Sequence, residues 1–118
     1  MSALDGTIVA TGLTGNVDSA IASRSDAGAL TSGAIVITSA IGATPTVTVN
    51  IQGSANGTHW FNIPYALVAT PSTFVVAAIT ITTAVTTTYL LQAGQPWQFV
   101  KLVLSANTNV TLDSTVYL

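Results

Sequence analysis

The sequence predicts an all-β chain: a single antiparallel β-sandwich, Ig-like or jelly-roll-like in style, carrying an extended N-terminal arm. Three observations lead there. Val, Ile and Thr dominate, and their branched side chains are stiff at χ1 and suit a pleated sheet better than a helix. Short runs alternate apolar and polar residues, and Gly, Pro or Asn signals interrupt them about every eight to twelve residues, the spacing of a sandwich or barrel. Residues 27–100 contain no formally charged side chain, so no segment there has the solvated charged face of an amphipathic helix. At 118 residues the chain is one domain, large enough for a core without disulfide or metal support.

The elements follow in order. Residues 7–11 read as a strand, and Ala20-Ile21-Ala22 as a short edge strand. Residues 33–39 form a strand that is expected to end in a turn around Gly42 and Pro45. The segment 46–52, Thr-Val-Thr-Val-Asn-Ile-Gln, alternates without a slip, so Val47, Val49 and Ile51 point inward. Asn56-Gly57 is a strong hairpin signal because both residues tolerate positive φ. The partner strand runs over 58–63 until Pro64 stops it, which makes 45–63 a hairpin with Trp60 in the core. Residues 73–82 and 86–92 are two further strands, separated from the next by Gly94-Gln95-Pro96. The run 98–105 alternates, 106–109 turns, and 110–118 places Val110, Leu112, Val116 and Leu118 on one face with Ser114.

Residues 1–30 differ from this body. They hold four of the six charges, Asp5, Asp18, Arg24 and Asp26, and are read as a partly extended arm; residues 31–118 are the sandwich domain. The arm charges, together with Trp97 at the start of a late strand, are the expected partner-binding residues.

Little in the chain can do chemistry. Acid–base catalysis, metal binding and phosphate binding need ionisable groups that converge. There is no Cys and no Glu, His59 is the one imidazole, and the four Asp residues are scattered. No enzyme activity, metal or cofactor is expected. A net charge of −2, with Arg24 and Lys101 the sole cations, argues against nucleic acid. No apolar run approaches the 18 or so residues of a spanning helix, and aromatic residues are too few for the girdles of a membrane barrel. The first residues carry neither a basic leader nor an apolar stretch, so no signal peptide is expected. Asn56-Gly-Thr and Asn109-Val-Thr fit the glycosylation sequon, but in so Thr-rich a chain they read better as turns.

Low charge has a second implication. A chain that is 49% hydrophobic and 5% charged would be poorly soluble as a free monomer, and its strand edges lack Lys gatekeepers. Both features point to an obligate assembly.

The run 46–63, with Ser54-x-Asn56-Gly57-Thr58-x-Trp60 at its centre, and the late strand Trp97-Gln-Phe-Val-Lys101-Leu-Val-Leu together resemble small structural proteins of tailed bacteriophages. Those chains show an alternating strand, then Ser-x-Asp/Asn-Gly-Thr-x-Trp, then aromatic-Val-Arg/Lys-Val. Asn56 and Lys101 take the less common option at their positions. The resemblance is to head decoration (minor capsid, or cement) proteins. It implies a virion protein on the outer capsid surface, made in the host cytoplasm and binding the major capsid protein and copies of itself, as a trimer. The same hairpin also resembles discoidin-like carbohydrate-binding sandwiches, which implies a glycan-binding module on a virion or cell surface as the alternative.

Overall fold

The computed structural model describes residues 8–18, 22–23 and 33–118. These form eight strands and no helix: β1 (Ile8–Leu13), β2 (Ala22–Ser23), β3 (Ala34–Ser54), β4 (Phe61–Asn62), β5 (Tyr65–Leu67), β6 (Ile79–Ile81), β7 (Thr86–Leu91) and β8 (Phe99–Tyr117). All belong to one antiparallel sheet of order β1-β8-β3-β7-β5, with β2 also on β8 and with β4 and β6 also on β3.

Two long strands carry the architecture. Straight, the 21 residues of β3 would reach roughly 66 Å at the usual rise, yet the longest dimension of the molecule is 44 Å. β3 therefore bends, and β8 bends with it. The place is marked in both strands by positive φ at ordinary residues: Thr44 (44°), Ala106 (51°) and Asn109 (55°). There the register shifts, so that β3 uses seven steps from Ile41 to Thr48 where β8 uses five from Val110 to Ser105. Because the difference is even, the face that points inward before the bend still points inward after it.

The connection after β4 limits how far apart the ends of the sheet can lie. Asn62 pairs with Gln52 near one end of β3, whereas Tyr65 pairs with Leu91, whose neighbour Leu90 pairs with Ala34 at the other end. Three peptide steps span at most about 11 Å. The two ends of β3 thus lie a few strand spacings apart, and the sheet closes on itself like a hinged leaf. The bend divides the same two strands into two halves, an arrangement consistent with a β-sandwich-like fold.

Between the halves sits one core. Ile35 and Ile37 come from the first half of β3, and Val47, Val49 and Ile51 from the second. Val100, Leu102, Leu104, Val110, Leu112 and Val116 of β8 join the same cluster, as do Ile63, Ile79, Ile81, Tyr89 and Leu91. The alternation predicted for 46–52 and 110–118 holds, including buried Ser114.

The structure departs from the sequence reading at both expected turns. Gly42 to Pro45 and residues 106–109 do not end strands; they are the bends in β3 and β8. Turn-type residues supply the positive φ that a sharp bend needs as readily as the φ that a reversal needs. The hairpin over 45–63 is also smaller than expected. Only Phe61–Asn62 return along β3, and the main partners of its second half are β8 and β6. Of 73–82, only Ile79–Ile81 is a strand.

The described part of the arm is built into the sheet. β1 pairs with the C-terminal half of β8, β2 with its start, and Asp18 bridges to Val103. Asp5, Arg24 and Asp26 lie outside the described residues, as do Ala20 and Ile21 of the expected edge strand.

Candidate functional site

The loop from Ser54 to Trp60 is organised by two side chains. Ser54, fully buried, accepts hydrogen bonds at Oγ from the N–H of Gly57 (2.8 Å) and of Asn56 (3.3 Å). Asn56 Oδ1 accepts from the N–H of Thr58 (2.8 Å) and of His59 (3.0 Å), and Gly57 takes φ +79°. The Ser-x-Asn-Gly spacing is thus a turn device: each side chain satisfies two backbone donors that a tight reversal strips of partners. His59 is exposed on this loop. Asn109, in the other sequon, donates through Nδ2 to Ala43 O (2.7 Å) and fastens the two bends together.

Trp60 was expected in the core; it is half-buried and stands on the outer face instead. The reason is register. Lys101 lies between inward-facing Val100 and Leu102, so it points outward, and its Nζ sits 4.4 Å from the centre of the Trp60 ring. The same Nζ donates to Asp18 Oδ2 at 2.9 Å. Asp18 is therefore tied to its own chain's β8. Lys101 is only 15% exposed, held between an aromatic face and a carboxylate.

Trp97, an expected partner-binding residue, supports the core. Its ring lies so close over Gly53 that an added Cβ would stand 2.9 Å from Cγ and Cδ2. Gly53 is the next inward position after Ile51, and the missing side chain leaves the room the indole fills. Phe61 flanks Trp97 with centroids 6.2 Å apart. Asp113 accepts from the N–H of Gly12 at 2.8 Å and so fixes β1 to β8.

Two clefts open among the described residues, and the residues that line them include no tryptophan. One, of about 430 Å³, opens at the bend, where the side chains of Asn107 and Asn109 are already engaged with backbone. The other, of about 420 Å³, lies under residues 70–78 against Tyr65 and Tyr89. Those two rings meet edge to face at 5.4 Å. Burial pushes the phenol pKa of Tyr65 up; burial likewise pushes that of Tyr89 up, opposed by a hydrogen bond with Thr87 and reinforced by Tyr65. Among the described residues no three His, Asp, Glu or Cys side chains gather in a way that could hold a metal ion. No helix among them is long and apolar enough to cross a membrane.

What sequence reasoning missed is an apolar surface at one side of the sheet. Leu67, Val68, Val75 and Val76 are exposed around β5 and the loop after it, and Phe61 is exposed on β4, with Phe61 and Val76 each at 58%. The signal was present: residues 74–79, Phe-Val-Val-Ala-Ala-Ile, are the longest apolar run of the chain. Periodicity reads such a run as buried strand, and only the topology places it at an edge. The chain matches no protein-family model, no curated protein sequence and no solved structure.

Proposed function

We propose that this chain is a non-enzymatic structural subunit of a virion, which decorates an icosahedral phage capsid from outside and stabilises it by binding the major capsid protein between capsomers. The observation that carries the reading is the surface. Across 27–100 no exposed position carries a formal charge, while Phe61, Leu67, Val68, Val75, Val76 and Val85 are all exposed. Apolar patches without charged neighbours mark protein–protein contact. The phage context rests on the resemblance of the 46–63 and 97–104 segments. The glycan alternative draws no support from an open aromatic groove, since Trp97 lies against the core and Lys101 occupies a face of Trp60.

The test is to add purified protein to capsids that lack it and follow co-sedimentation and the temperature at which particles break. Saturable binding with a higher disruption temperature is the expected result. Absence of binding, together with retention on a glycan surface, would reverse the order of the two readings.

A further inference from the structure

The outermost backbone beyond β5 belongs to residues 74–78. Val75 is locked inward: its N–H donates to Tyr65 O at 2.9 Å, and its O accepts from the Tyr65 N–H at 3.0 Å. In a pleated chain the polar groups of successive residues point to opposite sides. The N–H and C=O of Phe74 and Val76 therefore point away from the molecule, and neither residue makes a backbone hydrogen bond among the described residues. Open donors and acceptors in an extended segment are a template for another strand. Here the segment is Phe-Val-Val-Ala-Ala, with no Pro and no charge, the composition that favours strand pairing.

From this we infer that residues 74–78 form a self-pairing edge, by which two copies of the chain join their sheets across a two-fold axis at Val75. The register is dictated by the pattern of free groups. Phe74 of one copy exchanges both of its bonds with Val76 of the other, and Val76 of the first with Phe74 of the second. Val75 then faces its own symmetry mate as a non-hydrogen-bonded pair, where the Cα atoms come closest. A second copy is the occupant for two reasons. An isologous contact sets the same patch of the two copies together, so a charge within it would lie near the like charge of the partner copy; this edge lies within the uncharged stretch 27–100. Its exposed neighbours Leu67, Val68 and Val76 supply apolar area on both copies at once. The inference stands independently of the virion reading and is tested without particles.

The chain has no native cysteine, which makes cross-linking clean. A Val75→Cys variant should oxidise to a covalent dimer at protein concentrations where Val85→Cys, at an equally exposed valine (each 45%), does not. The facing Cα atoms of a non-hydrogen-bonded pair, about 4.5 Å apart, lie within the disulfide range. Light scattering of the unmodified chain should give twice its 12.0 kDa mass, and Val76→Lys should return it to monomer with its circular dichroism unchanged. Amide exchange at Val76 should slow with rising protein concentration, a readout that needs no variant. A monomer at all concentrations, a trimer, or equal cross-linking at positions 75 and 85 would each overturn the inference. So would a chain that is monomeric alone and uses Val76 only to bind capsid, since the strand it pairs with would then belong to another protein.

Discussion

Replacing Gly53 by Ala separates two opposed effects by their sign. Gly53 is not among the residues with positive φ, so its backbone suits alanine. On chain entropy alone the substitution stabilises by about 0.4–1 kcal/mol. The new methyl, however, would stand 2.9 Å from Cγ and Cδ2 of Trp97 and 3.0 Å from Cγ2 of Ile63. Carbon atoms prefer about 3.5–4.0 Å, so the indole must retreat by roughly 0.6–1 Å from a seat where it packs against the core. Overpacking of that kind costs about 1–3 kcal/mol, which leaves a net loss of up to about 2.6 kcal/mol. For a chain of this size the midpoint of thermal unfolding falls by about 3–6 °C per kcal/mol. The assay is a double-mutant cycle by urea and thermal melts. Gly53→Ala should destabilise the wild type but be neutral or stabilising in Trp97→Ala, where the Ile63 methyl can move into the vacated space. The expected coupling is about 1–3 kcal/mol. A stabilising Gly53→Ala in the wild type, or an equal loss in both backgrounds, would refute the close packing of Trp97 on this strand.

Three further outcomes are expected. Trp60→Ala removes a half-buried ring and its contact with Lys101, so it should cost about 1–2 kcal/mol in urea melts, below the 2–5 kcal/mol or so of Leu102→Ala; equal losses would return Trp60 to the core. Ser54→Ala leaves the N–H of Gly57 without its acceptor, and a loss of about 1–3 kcal/mol with faster amide exchange at Gly57 is expected. The raised phenols of Tyr65 and Tyr89 bear on alkaline stability. Above about pH 10 the unfolded chain loses these protons while the folded chain keeps them, so the folded state binds more protons and stability falls as pH rises. Tyr89→Phe should flatten that decline; an unchanged slope would show that the tyrosines do not set it.

Which parts of this fold were legible follows from what periodicity records. Alternation over 46–52 and 110–118 identified the inward residues correctly because a strand's facing depends only on its own pleat. It did not identify what lies beside the strand. Gly42, Pro45, Asn107 and Asn109 announced a change of direction, and a sharp bend in a continuing strand asks for the same residues as a reversal. The tryptophans were exchanged in role for a similar reason. Trp60 is the larger hydrophobe of a strong hairpin motif, but its face is decided by Lys101 across the sheet. Trp97 is drawn inward by the absence of a side chain at Gly53. Neither neighbour is close in sequence, so neither choice was visible there. The exposed edge at 74–78 was hidden likewise, since an apolar run signals burial whether the covering surface is the chain's own or another's.

The pairing of β3 with β8 also governs when the fold can form. Ile35 meets Val116 and Val49 meets Leu104, contacts that join residues far apart in the sequence. Such distant pairings pay their loop entropy before they are rewarded, and proteins rich in them fold slowly. Both halves of β3 pair with β8, so neither half gains that partner until β8 has been made. A nascent chain that has not yet made β8 presents β3 with one whole side open, Val47, Val49 and Ile51 included. Synthesis therefore has to hold a long, uncharged, strand-prone segment in check until its partner emerges, and the interval before β8 appears is when aggregation competes most strongly with folding.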